Sequence, residues 1–461
     1  MLAAFANTFR IPELRKRILF TIGLVFICRL VSMVPTPGVN WHVLEEAINR
    51  FREANTGSGG LMGMFDIFTG GAMSQCSIGF LSIWPYISAT IVIQLMTAVV
   101  PTLERLSREG DVGRQKINQY ARYLTLVICL FQGYMIATVL ERPESLGLGA
   151  IGLVDHPGIG FRLLTTLAMT TSTMFVVWLG DQITLRGIGN GSSVVIMVNI
   201  CSRLPIAILE TIQRYFSPSG ESVFELLLLL LLGFAVIMGT VMLTQGLRKI
   251  PIHSTRRVVG NKTYGGQNTY MPLRVNYSGV MPIIFAQPLL QFSGFALSRI
   301  NTDALPWLTW LKWVGTNLNS MTSPLHIVIY SLLIFFFSFF WVATQFNAVR
   351  IADDLKRNGS YVPGIRPGMA TAEHLDLIMT RVTLIGSLGL VTVAIVPQIL
   401  RGFFNIPWEM ASFFGGTSLL IIVGVALDTL RQMESHLLMR NYDGFLKHGR
   451  LRSRQQQQSP I

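Results

Sequence analysis

The chain is poor in charge. Only 13% of its 461 residues are Asp, Glu, Lys or Arg, about half the share in an ordinary soluble domain. With 51% hydrophobic residues and a mean hydropathy of +0.49, the composition excludes a soluble globular enzyme and predicts a polytopic membrane protein. Cysteine is scarce. Cys28, Cys76, Cys129 and Cys201 lie in or beside apolar runs, without a CxxC or a Cys/His cluster, so neither a disulfide framework nor a metal site is expected. The seven histidines include no metal-spaced pair. Walker loop, nucleophile elbow, HExxH and dinucleotide fingerprint are all missing. The GNG at 189–191 follows no strand and opens an apolar run, which argues against a phosphate cradle. No catalytic residue, metal or cofactor is therefore predicted. The apolar runs also lack the acidic pair that proton or cation coupling usually needs. No small-residue cleavage pattern follows the basic start, so no cleavable signal peptide is expected.

Ten hydrophobic runs stand out: 18–34, 76–100, 121–140, 161–179, 192–209, 223–245, 279–298, 325–346, 379–400 and 409–430. The second has no charge over 25 positions, more than the about 20 that a spanning helix needs. Pro85 inside it predicts a bend. Arg29 and Arg203 sit inside runs, and a charge in lipid is costly, so each should face protein, water or a membrane edge. Of the 37 Lys and Arg, 25 lie in the two termini and the connections on their side, seven on the other side and five in or at the spans. Positive residues stay inside, which predicts cytoplasmic N- and C-termini. Five spans before residue 215 and five after would invert the second half relative to the first, as in many transporters.

Two long connections on the basic side, 246–278 and 347–378, exceed what charge balance needs, and connections of this length usually carry function. They suit an acidic protein partner or RNA phosphate, and the net charge of +13 also suits anionic lipids. Pro363, Gly364, Pro367 and Gly368 make a punctuated turn around Arg366. On the other side, 57–74 holds a short apolar segment bracketed by glycines, too short to span. The loop 141–160 is Gly-rich, and 299–324 carries Trp307, Trp310 and Trp313 near a membrane edge. The tail ends in LRSRQQQQSPI and reads as polar and disordered. Ile83, Ile87 and Ile91 recur along one face of the second run. A tight aliphatic ring selects no solute but makes a good seal. The residues alone thus leave two readings open: an ion-coupled secondary transporter of small solutes, and a gated pore for a bulky substrate.

The stretches PTPGVN, GMFDIFTGGAMS, WPYISATIVIQLMTAVVPTLERLSREGDVGRQKINQYARYLT, GDQITLRGIGNGSS, MPLRVNYSGVMPIIFAQ, VPGIRPG with MTRVTLIGSL, and FFGGTSLLIIVGVALDT occur in this order. In them the chain resembles the SecY/Sec61 alpha family of protein-translocation channels over roughly residues 10–450. The resemblance implies an all-α polytopic membrane protein of the bacterial plasma membrane. Its ten transmembrane helices would form two inverted five-helix halves, 1–214 and 215–435, around a central pore, followed by a cytoplasmic tail, 436–461. It implies a non-catalytic channel that passes unfolded secretory polypeptides and releases hydrophobic segments laterally into lipid. The implied pore ring is Ile83, Ile87, Ser192, Ile196, Ile284 and Ile421, with Ser192 departing from the usual aliphatic residue. The implied plug is 61–74, with Leu61, Met62, Met64, Phe65, Ile67 and Phe68 as its apolar face. A lateral gate between the second and seventh spans would use Gln94, Asn276 and Gln287. Arg256, Arg257 and Arg366 would dock a motor or ribosome. Implied partners are the SecE and SecG subunits, the SecA ATPase, the translating ribosome, signal-sequence-bearing polypeptides, YidC, SecDF and the signal-recognition-particle receptor.

Overall fold

The computed structural model describes residues 11–40, 43, 69–72, 75–141, 154, 156–215, 223–254, 257–259, 262–264, 268–298, 309–320, 323–404, 411, 413 and 415–456. In chain order the helices are α1 (Pro12–Met33), α2 (Trp84–Val99), α3 (Pro101–Arg108), α4 (Asp111–Glu141), α5 (Ile159–Arg186), α6 (Gly191–Tyr215) and α7 (Val223–Gln245). Four strands follow: β1 (Leu247–Ser254), β2 (Arg257–Val259), β3 (Lys262–Tyr264) and β4 (Asn268–Arg274). Then come α8 (Met281–Ser298), α9 (Thr309–Asn319), α10 (Pro324–Gln345), α11 (Ala348–Arg357), β5 (Ser360–Tyr361), α12 (Met369–Phe404) and α13 (Gly416–Gln456). Among the described residues eight helices are long and apolar enough to cross a membrane. The number is nine if the bent pair Trp84–Thr97 and Pro101–Ser107 counts as one span. The fold is that of a helical polytopic membrane protein. α1 is not among the eight, because its 22 residues carry Glu13, Arg15, Lys16, Arg17 and Arg29.

The expected bend at Pro85 is absent. The helix begins at Trp84, which puts Pro85 in the first turn, where a missing N–H costs nothing. Residues 76–83 run as turns instead, with positive φ at Cys76 and Ser82. The sharp break comes later, at Val100–Pro101, where α2 and α3 meet at 103°. The tail also departs from expectation, because α13 continues as helix to Gln456.

Lipid offers no hydrophobic drive for helix association, so close packing and polar satisfaction hold the bundle. α4 and α5 show both. Gly133 packs against Thr166, with room for a Cβ at a contact distance of 3.4 Å. The buried Thr166 and Thr170 return their hydroxyls to the carbonyls four residues back, Arg162 and Thr166. Arg162 pairs with Glu141 near one end of the helix pair, and Arg122 with Asp181 at 2.8 Å near the other.

Packing divides the helices into two groups. α1, α2, α4, α5 and α6 associate with one another, as do α7 to α13. The substantial contact between the groups is α6 against α13. Ile200 and Ala207 of α6 there join Leu229, Leu400, Phe413 and Ile421 in one core. The 187–191 turn adds a second tie, as the Gly189 amide donates to Gln432 Oε1 of α13 at 2.8 Å. Its neighbours Ile188 and Gly191 donate to Thr21 and Thr184. The glycine-rich stretch thus spends its amides on side chains of three helices.

The long basic connections form strands, which the sequence reading did not foresee. β1 pairs antiparallel with β4 from Leu247↔Arg274 to His253↔Asn268, and β2 pairs with β3 from Arg257↔Tyr264 to Val259↔Lys262. Partner numbers in both ladders share one register, although the two pairs form separate sheets. β5, from the next connection, adds to β1 at His253 and Ser254 and makes the sheet order β4-β1-β5. Ile250, Leu273, Phe346, Val362 and Leu375 form a core beneath the sheet. Pro251 is tolerated in β1 because β5 reaches only the last two residues of that strand.

Candidate functional site: an apolar constriction between four helices

Ile83 and Ile87 of the α2 start, Ile196 of α6, Ile284 of α8 and Ile421 of α13 line one small cavity of about 30 Å³, together with Thr69, Ser82 and Trp84. Such a space could admit a water by size, but a water needs two to four polar partners. The five isoleucine side chains offer none and dominate the lining, so the constriction gives water little hold. Ile83 and Ile421 are almost fully buried. The helices that supply the isoleucines come from both packing groups, and the cavity is where the groups face each other.

Ser192 is not on this wall. It lies one turn before Ile196, and its hydroxyl donates to Asn190 Oδ1 at 2.7 Å. α6 starts at Gly191, so Ser192 belongs to the mouth of the 187–191 turn rather than to the cavity. The segment with Leu61, Met62, Met64, Phe65, Ile67 and Phe68 lies outside the described residues. Its downstream end is described: Thr69 reaches the cavity, and Thr69 and Ala72 are buried.

Around that end the structure gathers residues that the sequence reading assigned no role. Both terminal nitrogens of Arg29 donate to the Gly70 carbonyl at 3.2 Å, and Nη1 also reaches Asn199 Oδ1 at 3.5 Å. Asn199, buried on α6, donates in turn to Ser82 at 3.0 Å. Arg203 lies against Gly71 from the other side. Both span arginines therefore face protein, as expected of charges at this depth. The cost of placing them there was the available signal.

The three residues expected to bond across a gate do not meet. Asn276 accepts from Ser278 at 3.4 Å, and Gln287 accepts from the Tyr330 hydroxyl at 3.4 Å, which turns it toward α10. Gln94 is exposed on α2. Its position, seven residues after Ile87, keeps it on the cavity side of the helix, but little of α8 covers it, because α2 and α8 pack only sparsely. Arg256 lies outside the described residues. Arg257 opens β2. Arg366 is exposed at the tip of a turn between Gly364 and Gly368, both at positive φ, and its carbonyl accepts from Thr371 at 2.8 Å. The turn follows β5 of the three-stranded sheet, whereas Arg257 lies on the separate β2–β3 pair.

Fold and site define a polytopic membrane protein whose helix groups close on an apolar waist. The comparisons narrow that class. A family model described as SecY matches residues 77–430. The protein translocase subunit SecY of Streptomyces coelicolor is 40% identical over 97% of this chain and 100% of its own. That of Escherichia coli is 41% identical over 95% of each chain. A solved structure described as a protein conducting channel superposes over 91% of both chains with a TM-score of 0.56 at 14% identity, a shared fold. The chain belongs to the SecY family. It is a multi-pass protein of the bacterial plasma membrane.

Proposed function

We propose that the chain is a protein-conducting channel that passes unfolded secretory polypeptides across the plasma membrane and releases hydrophobic segments sideways into lipid. The observation that carries this reading is the meeting of Ile83, Ile87, Ile196, Ile284 and Ile421 at one predominantly apolar constriction. An apolar ring resists water and ions by dewetting, yet it makes no demand on the sequence of the chain that parts it. The reading requires no catalysis: the energy comes from a partner motor or a translating ribosome. Membrane partition of a segment follows from its own hydrophobicity.

On this reading α1 joins the eight helices and the bent pair to give ten spans, in two inverted halves, 1–214 and 215–435, with both termini cytoplasmic. The segment 61–74 is the plug, and the sparse α2–α8 seam is the lateral gate, with Gln94 facing it. The two basic connections supply the docking side chains Arg256, Arg257 and Arg366 for the SecA motor and the ribosome. Arginine suits this role because its fork makes several directed contacts. SecE, SecG, YidC, SecDF and the signal-recognition-particle receptor complete the set of partners.

The test is site-specific crosslinking in reconstituted vesicles. A photoreactive residue replaces Ile87 or Ile284, and a stalled secretory polypeptide is offered with its motor. Adducts that require both the signal sequence and ATP are expected. Their absence, in vesicles where a control channel yields them, would return the small-solute transporter to first place.

A further inference from the structure

Two guanidinium groups at membrane depth are expensive, and here they bracket consecutive residues of one backbone turn. Arg29 comes from α1 and Arg203 from α6, and they approach Gly70 and Gly71 respectively. The turn fits between them only because it has no side chains. A Cβ on Gly70 would collide with Arg29 Nη1, and one on Gly71 would stand 2.8 Å from Arg203 Nη2. Both glycines also have positive φ, +67° and +93°, which other residues rarely adopt. The residue just before this turn, Thr69, is part of the cavity wall. Asn199 then connects the Arg29 site to Ser82, another wall residue, through bonds of 3.5 and 3.0 Å. A charged donor on a backbone carbonyl makes one of the stronger hydrogen bonds, and this one can be broken by moving the turn without unfolding any helix.

We propose that Arg29 and Arg203 are positioning residues: a two-armed catch that grips the Gly70–Gly71 turn and keeps Thr69 seated against the isoleucine ring at rest. The inference rests on the channel reading. It adds a release step, because the turn must leave Arg29 before Thr69 can leave the wall.

The experiment measures resting ion conductance of the full chain, purified with its subunits, in planar bilayers without motor or substrate. Arg29→Gln is expected to raise it roughly tenfold, the factor that the loss of one charge-assisted hydrogen bond implies. Arg29→Lys, which keeps the charge but not the fork, should fall between the two. Gly70→Ala attacks the same contact from the other side and should also leak, which covers the case in which an arginine variant fails to assemble. The deciding comparison is a background lacking residues 61–69. There Arg29→Gln should add nothing, since Thr69, which the gripped turn keeps seated, is gone. An equal rise in that background would overturn the proposal, because the arginine would then be supporting the ring itself. If the deletion leaks and neither Arg29→Gln nor Gly70→Ala does, the catch is refuted while the plug reading stands. If the deletion does not leak, the plug reading fails and the catch fails with it.

Discussion

Ser192 and Ile196 are one turn apart on α6, and only the isoleucine reaches the cavity. A polar group at Ile196 would give water a partner in a space whose lining is now predominantly apolar. Ile196→Asn should raise resting conductance in planar bilayers, and Ser192→Ala should do so much less. Reversed sizes would move the waist toward the 187–191 turn. Tyr330 supports a different residue-scale prediction. It is fully buried, and its hydroxyl bonds to Gln287. Tyr330→Phe should cost about 0.6–1 kcal/mol, read as a small drop in the thermal midpoint in detergent with export intact. A gate role for Gln287 would instead show as altered export at unchanged stability. The isoleucines were legible because they sit in long motifs at fixed order. Ser192 was misplaced because its height depends on where α6 begins, and a turn sets that start rather than any periodicity. Gln287 was legible as a polar residue among apolar ones, but the direction it faces depends on α10, 43 residues further on.

Among elements, the sheet changes how the docking loops are understood. Charge counting identified 246–278 and 347–378 as two separate basic loops. The structure joins them through β5 and gives them one hydrophobic base. The signal was weak: in LRKIPIHS only Ile250 and Ile252 alternate inward, and a proline stands between them. Strand pairing across separate connections leaves no local trace at all. Arg366→Glu should abolish motor-driven export while the channel still inserts, measured by translocation of a secretory precursor into inverted vesicles. Normal export by that variant would remove Arg366 from the docking surface. Val362→Ala, buried under the sheet, should weaken the same activity indirectly. The expected pattern is an export loss that cooling relieves, whereas the charge reversal at Arg366 fails at every temperature.

Over the whole molecule, the class of helical polytopic membrane protein was readable directly, because a bilayer imposes length and apolarity on any helix that crosses it. Unequal packing at the two sides of the waist was not readable. α6 and α13 share a core, and the turn before α6 donates from Gly189 to Gln432 of α13, whereas α2 and α8 touch sparsely. Cysteines at Ile87 and Ile284, joined by a short thiol crosslinker, should stop export, and cleavage of the linker should restore it. Export that persists through the closed linker would mean that the polypeptide takes another route.

That inequality also fixes the form that opening can take. A body fastened along one edge swings; it does not dilate. Displacement then grows with distance from the fastened side. A turn of about 10° moves a point two helix diameters away by roughly 4 Å, while residues beside α13 hardly shift. Widening of the waist and parting of the α2–α8 seam would be one motion seen at two radii, and a substrate that forces the first has already loosened the second.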